Sequence, residues 1–258
     1  MSSPVTPTTT STSVTSKKKP PKDVKGALKG ADFHNSELTG PRPTHNIPSG
    51  GLFSAYSAVA IAAPPQVVYD ALLDVGDWKQ WNTFVYNVKI TKNPNPHGTG
   101  QRSHTRMTGG TCMIFYRNIS YDPPKQAESR QVVTLVEKLK LAKDGHNAPC
   151  VTRIRWQLDN AAISTPGFLL KCERINEIEE AADGTTIYRT WEVFAGPLAR
   201  TVRTNFEQNW RYRLQDWTRD LKQWCEKKYT QGGAEPTTAE GTVGKSEGGF
   251  AAQTAVGQ

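Results

Sequence analysis

Between Gly51 and Ala63 the chain reads GLFSAYSAVAIAA, a run of small and β-branched residues that predicts a strand. Pro64-Pro65 follows, and proline suits the first turn of a helix. Val67, Val68, Ala71, Leu72 and Val75 then share one helical face. Asp77 stands where it could cap a short second helix carrying Trp78 and Trp81. A series of strand candidates comes next: Phe84–Thr91, Gly100–Thr108, Cys112–Ser120, Arg130–Ala142, Val151–Leu158, Phe168–Ile178 and Thr185–Phe194. The turn signals NPNPHG, TGG, YDPP, KDGHNAP, STPG and ADG divide them. The stretch Gly109–Glu128 reads either as an additional strand or as an inserted loop. The last element is a helix over Leu198–Lys228, with Val202, Phe206, Trp210, Leu214, Trp217, Leu221 and Trp224 in one apolar stripe. At ~1.5 Å per residue it is about 45 Å long, enough to lie across a sheet. One strand, two short helices, an antiparallel meander and a closing helix make an α+β layout. A curved sheet gripping a long helix leaves room for a cavity.

Composition sets the limits of this body. Residues 1–50 are rich in Ser, Thr, Pro and Lys, and residues 231–258 in Gly, Thr and Ala, with no apolar periodicity in either. Both are expected to be disordered tails, because neither buries enough surface to offset ordering. Residues 51–230 are left as one domain. The net charge is +8, but the basic residues are scattered among carboxylates and no nucleic-acid motif accompanies them. Neither a secretory segment nor an apolar run of spanning length stands out. The expectation is a cytoplasmic protein; an acid-free, hydroxyl-rich start keeps a mitochondrial destination as the alternative. Cys112, Cys150, Cys172 and Cys225 form no C-x-x-C pair, so no metal site and no cofactor is expected.

Several stretches together resemble the START-like, helix-grip superfamily (SRPBCC, birch-pollen-allergen-like). APPQVVYDALLDVGDWKQWN is similar to its opening helices, and IRWQL to its central strand. ERINEIEEAADGTTIYRTWEVFAGPLA is similar to its last hairpin, and LKQWCE to its helix end. The likeness spans the whole predicted body and is greatest to the polyketide cyclase/dehydrase-like and coenzyme Q-binding START branch. It implies a hydrophobic cavity between the concave sheet and the long helix. Members carry or sense lipids, quinones or polyketides, and a minority are enzymes, so fold alone does not assign the activity.

Within this frame one carboxylate stands out. In Val151–Leu158 the apolar set is Ile154, Trp156 and Leu158. In Thr185–Phe194 neither face is clean, and Glu192 points either inward or to solvent, where Arg189 could pair with it. The resemblance favours Glu192 and Phe194 pointing in. A loop around Asp183-Gly184 then sets Ile178 against Tyr188, Cys172 against Phe194 and Arg174 against Glu192. Phe168, Leu170, Cys172 and Arg174 share one face. The expected cavity set is Arg174, Glu192, Tyr188, Trp156, Phe194, Trp81, Phe84, Phe206 and Trp210. A bidentate Arg174–Glu192 pair is expected at its floor, since burying the carboxylate alone would cost several kcal/mol.

Catalytic signatures are lacking: the sequence has no G-x-S-x-G, H-E-x-x-H or P-loop. No catalytic residue is assigned, because a carboxylate held by arginine is a weak base. The expected partner is a hydrophobic small molecule, with no nucleic acid and no transmembrane segment; transient membrane contact is allowed. A polyketide cyclase-like enzyme is the alternative function, and a chaperone-activator-like protein-binding module a further one. The oligomeric state is left open.

Overall fold

The computed structural model describes residues 41–49, 51–94, 105–142, 149–163 and 165–232. Strands β1 (Phe53–Ile61), β2 (Val85–Lys92), β3 (Cys112–Tyr121), β4 (Pro124–Val136), β5 (Val151–Leu158), β6 (Lys171–Glu180) and β7 (Thr186–Ala195) form one sheet in the order β1-β7-β6-β5-β4-β3-β2. Every neighbouring pair is antiparallel. Helix α1 (Pro65–Leu73), a 3-10 turn (Val75–Asp77) and α2 (Trp78–Trp81) follow β1, and α3 (Ala199–Gln231) closes the fold. This is the helix-grip arrangement.

Local chemistry explains the framework. Proline opens α1 at its first turn, where its missing N–H leaves no bond unmade. Strand β5 alternates strictly, burying Thr152, Ile154, Trp156 and Leu158. Gly196 joins β7 to α3 at φ +94, and a Cβ there would lie 2.5 Å from the Leu169 carbonyl oxygen. Only glycine fits both conditions. Helix α3 has 33 residues, about 50 Å by its ~1.5 Å rise. Its apolar stripe covers the sheet, and Trp217 of that stripe joins Trp78, Trp156 and Phe115 in a cluster of edge-to-face and tilted rings.

The stretch Gly109–Glu128 takes the additional-strand alternative: β3 pairs there with the first part of β4 as a hairpin. Four expectations change. Strand β4 begins at Pro124 and ends at Val136, both earlier than the Arg130–Ala142 prediction. In Gly100–Thr108 the described part makes no ladder. Met107 N–H donates to Leu73 O (2.9 Å) and Val75 N–H to Thr105 O (3.1 Å), so this segment ties to the end of α1. Asp77 makes no side-chain cap on α2; its carboxylate accepts from Gln80 instead (2.9 Å). Phe168 does not share the inward face, for it precedes β6 and is 73% exposed.

Residues 41–49, which composition groups with the tail, pack on the outer face of the sheet. The Arg42 guanidinium lies 4.6 Å from the Trp191 ring centre, and Ile47 is buried with Ile175, Trp191 and Val193. Asn46 donates its backbone N–H to Glu173 (2.9 Å) and its amide to Gln157. The expected tail segments 1–40 and 233–258 lie outside the described residues, as do His34, His97, His104 and His146.

Candidate functional site

The register between β6 and β7 pairs Ile178 with Tyr188, Cys172 with Phe194 and Arg174 with Glu192. Glu192 faces the interior and is wholly buried, as is Arg174. A carboxylate in such a place needs donors. Glu192 Oε1 accepts from Cys172 Sγ (3.1 Å), and Oε2 accepts from Trp210 Nε1 of α3 (2.8 Å). Its nearest cation is Arg117 on β3, with Nη1 at 3.5 Å from Oε1.

The expected bidentate Arg174–Glu192 pair is thus corrected to an Arg117–Glu192 pair, although the facing register is right. Arg174 is held elsewhere: its Nε donates to Thr190 Oγ1 (3.0 Å). Its guanidinium lies 4.0 Å from the Trp217 ring centre and 5.4 Å from that of Trp156. Tyr188 donates to Asn176 Oδ1 (2.7 Å) and accepts from Trp217 Nε1 (2.8 Å), so its hydroxyl is spoken for.

Electrostatics fix the protonation states. Burial pushes the Glu192 carboxyl up, but Arg117 first and Arg174 second outweigh it, leaving it below its ordinary value. Burial, reinforced by the adjacent Glu192 charge, raises the Cys172 thiol well above its ordinary value. Burial also raises Tyr188 and lowers Arg174. At neutral pH the set is one carboxylate, two guanidiniums, a neutral thiol and a neutral phenol.

Eight of the nine residues expected to line a cavity meet between the sheet and α3. Phe194 stacks on Phe53 (4.7 Å) and meets Trp210 edge-on (5.2 Å). Phe84 also meets Trp210 edge-on (5.8 Å), and Trp81 meets Trp217 (5.5 Å). Phe206, on the less buried first half of α3, is only partly buried and packs at the edge of the same core, with the Lys125 ammonium 4.4 Å from its ring centre.

Among the polar residues of the interior that sequence reasoning did not single out are Arg117, Ser129, Gln131 and Asn176. The signal was present. Met113, Phe115, Arg117 and Ile119 form the buried, period-two face of β3, and an arginine in that series is as anomalous as Glu192 in β7. Gln131 and Val133 are likewise the buried pair of β4, with Gln131 paired to Met113 and Leu158. Arg117 Nε and Nη2, Arg174 Nη1 and Nη2, Trp156 Nε1, Ser129 Oγ and both amide atoms of Gln131 are buried with no hydrogen-bond partner among the described residues. Leaving a buried polar group unpaired costs about 1–3 kcal/mol.

A cavity of about 220 Å³ opens at one end of β5 and β6, lined in part by Asn46, Gln157, Asn160, Lys171 and Glu173. None of the nine expected residues lines it. Among the described residues no cluster of three or more His, Cys, Asp or Glu could hold a metal ion, and no helix is long and apolar enough to cross a membrane.

Known proteins resemble this chain in both sequence and fold. Residues 53–171 match the family described as polyketide cyclase/dehydrase and lipid transport. "Oxopyrrolidines biosynthesis cluster protein O" of Penicillium oxalicum is 30% identical over 195 residues, covering 71% of this chain and 92% of that protein. The crystal structure of a hypothetical protein from Helicobacter pylori superposes with a TM-score of 0.50 at 13% identity, over 79% of this chain and 98% of the other. A START superfamily protein from Mycobacterium smegmatis gives 0.40 at 12% identity, over 69% and 97%. The chain therefore belongs to the polyketide cyclase/dehydrase and lipid transport family.

Proposed function

We propose that the chain binds a small hydrophobic, polyketide-like molecule between the concave sheet and α3, acting as a carrier or sensor. The observation that supports this most is a fully buried polar cluster, Arg117, Arg174 and Glu192, set inside walls of Trp78, Trp156, Trp210 and Trp217. Aromatic walls take up apolar surface, while a few fixed polar groups orient the ligand. Burying about 300 Å² of apolar ligand surface at ~25 cal/mol/Å² amounts to ~7 kcal/mol before entropic costs, enough for micromolar binding. Native mass spectrometry of the purified protein, followed by solvent extraction, tests this. A co-purifying small molecule, or quenching of tryptophan emission by an added apolar ligand, is the expected result. A protein that carries none and takes none up would overturn it.

A second reading is a cyclase-like enzyme, favoured by the relative from an oxopyrrolidine biosynthesis cluster. Arg117 and Arg174 could then stabilise negative charge developing on a carbonyl oxygen. Glu192 is poorly suited to be its base, because both of its oxygens are already engaged. Turnover of a poly-β-carbonyl substrate that persists in Glu192→Gln but falls in Arg174→Gln would support this reading. Loss of turnover in neither variant would dismiss it.

A further inference from the structure

Where the last strand feeds α3, apolar side chains stand in water. Phe168 is 73% exposed and Leu198 43% exposed. They lie on joined segments, since Leu198 N–H donates to Leu169 O (3.0 Å). Single exposed apolar residues are ordinary, but this pair sits on a braced loop. Asn160 donates its side-chain amide to Thr165 O (2.9 Å) and to Leu170 O (2.8 Å), closing the loop across its ends. Leu169 N–H returns to Pro166 O (2.9 Å), a tight turn with Gly167 and Phe168 at its corner. The backbone thus presents Phe168 outward at a fixed place, and little ordering remains to be done when something covers it.

Charge around this tip has one sign. Lys171 follows the loop and Arg200 lies in the first turn of α3; both are exposed and make no ion pair among the described residues. Residues 160–171 contain no acid. From Ala199 to Arg213, α3 carries four arginines against one carboxylate, Glu207. That carboxylate is already shared by Arg203 (3.0 Å) and Arg211 (2.8 Å). Glu173, two residues beyond Lys171, is buried on the outer face of the sheet and bound by Asn46. A protruding apolar tip among unneutralised cations matches a surface that is anionic above and apolar beneath. A folded acidic protein would need a hollow to receive Phe168, whereas a bilayer needs none.

We propose that this end of the molecule docks on an anionic lipid bilayer, with Phe168 and Leu198 entering the headgroup–acyl boundary and Lys171 and Arg200 meeting the lipid head groups. Apolar side chains at such a surface reach about 5–10 Å into the boundary. Helix α3 then stands end-on. Tyr212, also exposed at 52%, is about 20 Å further along the helix at ~1.5 Å per residue and stays clear of the lipid. The contact is reversible, because two apolar side chains and a few charges fall far short of a spanning helix. The inference does not depend on what the interior binds.

The test sediments the full chain with vesicles of phosphatidylcholine alone and of phosphatidylcholine mixed with phosphatidylserine, at low and high salt. Binding about tenfold or more tighter to the mixed vesicles, weakened by salt, is expected. Phe168→Ala should weaken it about tenfold. Lys171→Gln and Arg200→Gln should each weaken it about fivefold, and Tyr212→Ala should leave it unchanged. All four positions are exposed, so each variant should keep the parent Tm. Phe168→Trp gives a second reading: brominated acyl chains should quench the new indole, which requires that it enter the bilayer. Binding to the mixed vesicles that survives Phe168→Ala and both Gln variants would move the contact elsewhere on the chain, such as its lysine-rich start, and overturn the inference. Equal weakening by Tyr212→Ala would overturn it as well. Failure to bind either vesicle would also overturn it, and would leave an acidic protein as the occupant to seek.

Discussion

Arg117 on β3 and Glu192 on β7 meet at 3.5 Å, although three strands separate β3 from β7 in the sheet. Only a sheet curled around α3 brings them together. The contact is a cross-brace from one side of the grip to the other, and Trp210 of α3 donates to the same carboxylate. Removing one member of a buried pair leaves the other charge uncompensated. Arg117→Met is therefore expected to destabilise the fold by about 3–5 kcal/mol in urea unfolding. Arg117→Met combined with Glu192→Met should recover part of that loss, because the buried charge goes with its partner. Strictly additive effects would argue against the brace.

Acid should expose the same carboxylate. Its ordinary value is 4.5 and its folded value is lower, since the arginines outweigh burial. The unfolded chain therefore takes up this proton first as pH falls. The stabilisation is fully present above 4.5 and is lost as pH falls through the folded value. Urea midpoints measured at a series of pH values below neutral should drop in that acid range, and Glu192→Gln should flatten that part of the curve. An unchanged acid slope in the variant would assign the effect to other groups.

Thiol chemistry should divide the four cysteines. Cys150, Cys172 and Cys225 are buried and Cys112 is partly exposed. Burial raises the Cys172 thiol well above its ordinary value and pushes Cys225 up to about 12. Thiolate is the reactive form. An aromatic disulfide reagent should titrate one thiol, Cys112, in the native protein and four in denaturant. Rapid labelling of Cys172 in the native state would mean that the interior opens readily.

The link between the last strand and the last helix should tolerate no side chain. Gly196→Ala places a Cβ 2.5 Å from Leu169 O at a φ of +94. A strained backbone of this kind costs about 1–3 kcal/mol. A lowered Tm with an unchanged far-UV spectrum is the expected result, and an unchanged Tm would show that the loop before β6 yields freely.

The segment before β1 should contribute to stability. Ile47 is buried against Ile175, Trp191 and Val193. Ile47→Ala should cost about 2 kcal/mol, the low end for truncating a buried aliphatic side chain. A silent substitution would show that residues 41–49 do not hold to the sheet in solution.

The sequence by itself determined most of the frame. Periodicity, the Pro64-Pro65 start, the turn chemistry and the α3 stripe are local properties, so the strand–helix–meander–helix order was legible without a structure. The β6–β7 register was legible as well, because a short turn and one buried face leave little freedom to slip. The turn residues Asp122-Pro123 also marked where β3 ends, although β4 started earlier than its apolar pattern suggested. The exposed first half of β4, from Pro124 to Glu128, offers no buried face from which periodicity could be read.

Only the tertiary structure decided which cation serves Glu192. Pairing neighbours can be deduced from a hairpin, and that logic points to Arg174. The actual partner comes from a strand whose distance in the sheet is cancelled by curvature, which no local pattern encodes. The same holds for Arg117, Gln131 and Ser129 facing one interior, and for residues 41–49 covering the outer face. Composition reports how much apolar surface a segment carries. Whether a partner surface waits to receive it is a property of the folded whole.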